Sequence, residues 1–187
     1  MLLVFVALGF AAGSIPTGVI VGRRRGIDIR RQGSGNIGAT NVTRVLGLGP
    51  GLFVLALDAA KGLLPVLAAR AWCGEPSIVA FTGFAAILGH CFSPWLGGKG
   101  GKGVATALGV FTATVPALAL VGLAVFLVIG GRTKVPALGS LAGCAAATLF
   151  AFATDAMPAF RYLALATTIL LIYTHRGNLI RLVTSSS

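Results

Sequence analysis

Long apolar runs alternate along this chain with short polar stretches in which glycine, arginine and lysine predominate. A helix needs roughly 20 apolar residues, at about 1.5 Å each, to cross the hydrocarbon core of a bilayer. Six runs qualify by position: 1–22, 51–71, 77–96, 103–130, 135–154 and 158–174. The run 103–130 would measure about 42 Å as one helix, well over the ~30 Å core. Pro116 lies inside it, and an internal proline removes a helix hydrogen bond and breaks the element. The run is therefore read as two shorter helices, the first of them short for a full crossing and open to a re-entrant path. The second run carries Asp58 and Lys61 at i, i+3, on one helix face where they can pair. Such a pair must face protein or water, not lipid.

Composition makes the bilayer reading firm. The chain has 187 residues, 56% hydrophobic and 10% charged, with mean hydropathy +0.94. A soluble domain carries about a quarter charged residues, so this chain lacks the polar surface to cover itself in water. The N-terminus is apolar from Met1, with no basic leader region or cleavage site, and reads as a retained helix. No repeat or long linker divides the chain, so residues 1–187 are read as a single membrane domain. Cys73, Cys91 and Cys144 lack metal-ligand spacing and are read as small buried hydrophobes.

Charge then orients the helices. Fifteen Lys and Arg face four Asp and Glu, for a net charge of +11. In a soluble protein that excess suggests nucleic acid. Here the bases cluster between apolar runs, which points to topology and small anionic ligands and away from nucleic acid. With 103–130 split at Pro116, strict alternation puts Arg23, Arg24, Arg25, Arg30, Arg31, Arg44, Lys99, Lys102, Arg132, Lys134, Arg176 and Arg181 on one side with Asp28 alone among the acids. Arg70, Arg161, Glu75 and Asp155 fall on the other. The positive-inside rule predicts an all-α membrane protein of seven short helices, N-terminus out and C-terminus in the cytoplasm.

Three segments on that basic side could carry chemistry. The first is Gly33-Ser34-Gly35-Asn36-Ile37-Gly38-Ala39-Thr40-Asn41, with Arg44 beyond. Glycines allow backbone N–H groups close to an anion, and Ser34, Asn36, Thr40 and Asn41 add short-range hydrogen bonds. The run matches G-x-G-x-x-G, yet it lacks the preceding buried strand a dinucleotide site needs. The bland reading is a flexible interhelical loop. The second is Gly97-Gly98-Lys99-Gly100-Gly101-Lys102-Gly103, opening a helix. Backbone donors, two ammonium groups and a positive helix end make an anion site; the bland reading is a turn with topogenic lysines. It is not a Walker A loop, because Leu96 stands where its first glycine belongs and Gly103 follows the lysine. The third is Thr174-His175-Arg176-Gly177-Asn178, with Arg181 beyond. His175 and Asn178 share a face if the helix continues, although a histidine at a helix end often only caps carbonyls. His90, just before the lysine loop, either supports that loop or is an interfacial histidine.

The acid–base inventory narrows the chemistry. One acid on the basic side excludes paired-carboxylate mechanisms, and two histidines with almost no carboxylates argue against a metal. No Gly-x-Ser-x-Gly, Ser-x-x-Lys or HEXXH element is present, and no histidine is followed by Asp at i+5. A site rich in anion donors and poor in bases suits a substrate that already carries a good leaving group, such as a phosphate or mixed anhydride.

Together these segments resemble the bacterial acyl-phosphate:glycerol-3-phosphate acyltransferase family, PlsY. The resemblance runs from Gly13-Ser14-Ile15-Pro16-Thr17 through the Gly33–Asn41 segment with Arg44, the Asp58/Lys61 helix and Gly89-His90 to Lys99–Thr106 and His175–Asn178 with Arg181. It implies transfer of a fatty acyl group from acyl phosphate to the 1-hydroxyl of sn-glycerol 3-phosphate, without cofactor or metal, at the cytoplasmic face of the bacterial inner membrane. By resemblance, Ser34 and Arg44 match the essential serine and arginine of the first motif. The Lys99–Gly103 loop, with Gly100 and Gly101, matches the phosphate-binding motif, and His175 with Asn178 the third. The implied catalytic set is Ser34, Arg44, Lys102, His175 and Asn178. The implied phosphate-binding set is Gly33, Gly35, Asn36, Gly38, Thr40, Asn41, His90, Lys99, Gly100, Gly101 and Gly103. Family members commonly continue with a Gly-x-Glu tail, whereas this chain ends Val183-Thr184-Ser185-Ser186-Ser187. An organic-phosphate transporter using the same loops is the rival reading; transporters place such sites at the bilayer midplane between repeats.

Overall fold

A computed structural model describes residues 1–154 and 156–184, and leaves the side chain of Val183 undescribed. Asp155 and the terminal serines of the tail lie outside the described residues. Among those described there is no strand. The helices are α1 (Leu2–Ser14), α2 (Thr17–Arg24), α3 (Ala39–Leu46), α4 (Leu48–Trp72), α5 (Pro76–Cys91), α6 (Val104–Thr114), α7 (Pro116–Thr133), α8 (Pro136–Ala153) and α9 (Pro158–Thr184). Short 3₁₀ turns cover Ile29–Arg31 and Pro94–Leu96. Among the described residues, five segments are long and apolar enough to cross a membrane: Leu2–Arg24, Leu48–Trp72, Pro76–Leu96, Pro116–Thr133 and Pro136–Ala153.

Proline sets most of the breaks. The split before Pro116 falls where the sequence predicts it, leaving α6 as an eleven-residue helix of about 16 Å. Arg70, from the end of α4, donates to the Ala113 carbonyl at 2.9 Å and satisfies part of the last turn of α6. Two further breaks depart from the predicted continuous spans. Ile15 before Pro16 and Ser93 before Pro94 are both extended, because proline's ring disfavours helical geometry in the residue ahead of it. The first span is thus two helices, and the third ends at Cys91 before the short turn Pro94–Leu96. At the other end, α9 does not stop at 174. Hydropathy reports where lipid ends, not where the hydrogen-bonded ladder ends, and α9 carries His175 and Asn178 one turn apart.

The core lies between α4, α5, α6, α8 and α9, around Val66, Ile87, Val110, Ala147, Ala164 and Leu171. The α1–α5 pair packs backbone to backbone. A Cβ at Gly9, Gly13 or Gly89 would overlap a carbonyl of the opposing helix, the small-residue contact that lets membrane helices approach closely. A second cluster of Val19, Val21, Ile29, Ile37, Val42 and Val54 presses the Gly33–Asn41 segment onto α2 and α4. Cys91 and Cys144 are buried and Cys73 is half-buried, all free thiols.

Candidate active site

Two positive-φ glycines, Gly33 and Gly35 (φ 58° and 72°), turn the chain after the first 3₁₀ turn, a geometry that glycine takes without strain. The loop is then organised from inside by Asn41. Its Oδ1 accepts the Ser34 amide at 2.8 Å, and its Nδ2 donates to the carbonyls of Asn36 at 2.9 Å and Gln32 at 3.0 Å, with Ile29 at 3.3 Å. Asn41 is 1% exposed, and its two N–H groups are spent on the loop. Asn41 thus shapes from inside the loop that presents Ser34 and Asn36, and it also lines the cavity described below. Nearby, Arg30 grips Asp28 with two bonds of 2.9 Å. That side-chain bond, reinforced by the Arg30 amide, holds the Asp28 carboxyl down at about 2, too weak a base to take a hydroxyl proton.

The lysine loop uses its glycines differently from the expectation of bare backbone donors. The amides of Gly97, Gly98 and Lys99 donate to Pro94, Ser93 and Leu96, and those of Gly100 and Gly101 to Cys91 and His90, both at 3.0 Å. Those five donors are internal, so an anion must find others. They lie one step on, at Lys102 and the start of α6. Its N-cap, Gly103, has φ 88° and supplies no capping side chain, leaving the first amides of the helix open. The same holds at α3, whose N-cap is Gly38, again without a side-chain cap. Two helix starts thus carry uncapped N–H groups and a positive end of the helix dipole.

Helix α9 closes the third side. Lys102 Nζ donates to Asn178 Oδ1 at 2.6 Å, and the Thr174 hydroxyl donates to the Lys102 carbonyl at 3.1 Å. His175 is 2% exposed, and its Nδ1 lies 2.8 Å from the Leu171 carbonyl. A carbonyl only accepts, so Nδ1 carries the proton and Nε2 of the neutral ring keeps its lone pair.

A single cavity of about 410 Å³ joins these elements. Ser34, Asn36, Gly38, Thr40, Arg44, Lys102, Gly103, His175 and Asn178 line its polar end, with His90 and Asp58. Gly33, Gly35, Lys99, Gly100 and Gly101 are not among its lining residues. The first two turn the chain, the next is exposed, and the last two pack against the end of α5. Three lining features went unread in the sequence as parts of the site: Lys134, Asp58 and an apolar arm between α7 and α8. That arm is walled by Leu118, Gly122, Phe126, Gly143 and Ala147 among others. The small residues at the α7–α8 contact were visible as letters, but they look the same as ordinary helix packing. Burial, with Arg181 nearby, pushes the Lys102 ammonium below the ordinary lysine value. The arrangement combines cations, uncapped amides and one neutral imidazole at the mouth of an apolar slot.

Comparison with known proteins agrees. The family model for glycerol-3-phosphate acyltransferase matches residues 3–185. A glycerol-3-phosphate acyltransferase of Myxococcus xanthus is 47% identical over 179 residues, covering 95% of this chain and 93% of its own length. Those of Geobacter sulfurreducens and Aquifex aeolicus are 46% and 42% identical, each over at least 93% of both chains. Two crystal structures of PlsY, an integral membrane glycerol 3-phosphate acyltransferase, superpose with TM-scores of 0.94 and 0.93 at 40% identity. They cover 98% of this chain and 92% of theirs, one being a glycerol 3-phosphate form and the other a lysophosphatidic acid form. This all-helical, multi-pass membrane chain belongs to the glycerol-3-phosphate acyltransferase family.

Proposed function

We propose that the chain transfers a fatty acyl group from acyl phosphate to the 1-hydroxyl of sn-glycerol 3-phosphate, giving lysophosphatidic acid and inorganic phosphate. One observation carries this reading: a basic, amide-rich polar end and an apolar arm belong to the same cavity. A phosphate ester and an acyl tail need those two surroundings side by side. The whole chain is one catalytic unit in the bacterial inner membrane. Adding α6 and α9 to the five apolar segments gives seven crossings, N-terminus outside, with the cavity mouth on the cytoplasmic side. The excess of bases near that mouth supports this orientation.

Arg44, Lys102 and the uncapped amides of α3 and α6 hold the two phosphates by charge-assisted bonds. The acyl tail lies along the arm between α7 and α8. His175, with Ser34 and Asn178, orients the attacking hydroxyl on the acyl carbonyl or polarises that carbonyl. The hydroxyl oxygen bonds to the carbonyl carbon, the bond from that carbon to the phosphate oxygen breaks, and the departing phosphate takes the hydroxyl proton. With Asp28 held as a carboxylate by Arg30, the leaving group is the better proton acceptor.

Purified protein in detergent should release phosphate only when acyl phosphate and glycerol 3-phosphate are both present; a transporter would release none. His175→Ala should lower kcat about 10²-fold, the order of loss when a reacting group is misplaced, and leave a measurable rate above background. Activity at background with substrate binding intact would make the histidine an obligatory base. Because Lys102 loses its proton at lower pH than a free lysine, glycerol 3-phosphate binding is strongest where the ammonium keeps its proton and weakens as pH rises through the lowered value. The alkaline limb of kcat/KM should therefore fall below 10.5, and Lys102→Arg should move it upward.

A further inference from the structure

At the polar end of the cavity, α4 buries an ion pair that packing alone does not explain. Asp58 is 1% exposed and receives three groups from three directions. Lys61 Nζ lies 2.8 Å from its Oδ1, the Thr17 hydroxyl of α2 donates to the same oxygen, and Nδ1 of His90, at the end of α5, sits 3.7 Å away. Lys61 also donates to the Ile15 carbonyl at 2.9 Å, at the break between α1 and α2. One carboxylate thus ties the broken first span to α4 and lies against the last turn of α5. Replacing such a buried pair by apolar residues is often neutral or stabilising, so stability gives no reason to keep it.

The reason lies above His90. Its carbonyl accepts the Gly101 amide at 3.0 Å, and Gly101 rests on its ring so closely that a Cβ there would overlap Nε2. The next residue is Lys102, bonded to Asn178. The loop is anchored to the same break on its other flank, where Ser93 Oγ donates to the Ser14 carbonyl at 2.6 Å and Trp95 Nε1 to Ser14 Oγ at 3.0 Å. His90 Nδ1 faces the Asp58 carboxylate at 3.7 Å and makes no hydrogen bond. The ring is packed between the carboxylate on one side and the glycine on the other.

We infer that Asp58 is a positioning residue: through the His90 ring and Gly101 it sets the height of the lysine loop, and with it the place of Lys102 in the phosphate site. This inference rests on the proposed reaction for its kinetic readout, and on loop position for a second one that needs no substrate. The test is the paired variant Asp58→Leu with Lys61→Met, which removes both charges together, in a Trp72→Phe background so that Trp95 alone reports the loop. The Ile15 carbonyl keeps the Thr17 amide as a partner, 3.0 Å away. The variant should keep a melting temperature near that of its parent, lose about 10- to 100-fold in kcat/KM for glycerol 3-phosphate, mainly through KM, and shift the Trp95 emission. Displacements of an ångström cost rates of this order. Parental KM with a parental Trp95 spectrum would overturn the inference. Should the paired variant not fold, Thr17→Val reads the same point, since it removes one neutral bond and keeps the ion pair. It should raise KM about threefold to tenfold at unchanged stability, a change that corresponds to one lost hydrogen bond, and an unchanged KM would sink the idea. Failure of the reaction itself is separate, because the parent would then release no phosphate with both substrates while Trp95 still reported the loop.

Discussion

Lys102→Ala should lower kcat/KM for glycerol 3-phosphate by about 10²- to 10³-fold, the range set by losing a preorganised donor from a partly desolvated site. The side chain does two things at once. Its ammonium supplies a charge beside the uncapped start of α6, and its 2.6 Å bond to Asn178 holds α9 against the lysine loop. Alanine removes both. Lys102→Gln separates them, because a neutral amide can still reach Asn178 without a charge. If charge is what matters, Gln should recover little of the activity, whereas a bridge role predicts near-complete recovery. Steady-state kinetics with each substrate varied in turn would decide, and a loss under about fivefold for Lys102→Ala would remove the lysine from the phosphate site.

Asn41→Asp should be nearly as damaging although it changes one atom. The side-chain nitrogen faces the carbonyls of Ile29, Gln32 and Asn36. A carboxylate oxygen in that place donates nothing and repels all three. Each buried polar group left without a partner costs about 1–3 kcal/mol, so the loop should lose several kcal/mol and open. Thermal unfolding should shift downward, and activity should fall by more than about 10²-fold as Ser34 loses its fixed amide. Wild-type melting and activity in this variant would mean that the loop is held by the valine and isoleucine cluster beneath it.

These two positions also show what could be read from the chain alone. Both motifs stood out because glycine, serine, asparagine and lysine interrupt apolar runs, and Pro116 divides an overlong run for a reason visible in its chemistry. The break at Pro16 was equally present in the letters. It passed unread because a sum of hydropathies does not register a missing N–H. Asn41 was legible as a polar residue in a glycine-rich loop, but not as that loop's internal brace, since its partners are carbonyls whose direction only the folded backbone sets. Gly100 and Gly101 invited the view that glycine bares its amides. They instead donate to the end of α5, and the absent Cβ makes room for the His90 ring. The pair Asp58–Lys61 was readable from its spacing, whereas Thr17 and His90 come from distant stretches and needed the fold. The apolar arm was least legible, because Gly122, Gly143 and Ala147 fit tight helix packing as well as a wall for a ligand.

The paired helix starts at Gly38 and Gly103 bear on how the enzyme behaves as product accumulates. Both have a glycine N-cap with no side-chain cap, and backbone amides of this kind accept an ester phosphate and free orthophosphate alike. On the proposed chemistry, every turnover releases the small anion suited to occupy either seat. Orthophosphate in the surrounding medium would then compete with donor and acceptor alike, slowing membrane lipid synthesis when it is plentiful and releasing the enzyme as it is consumed.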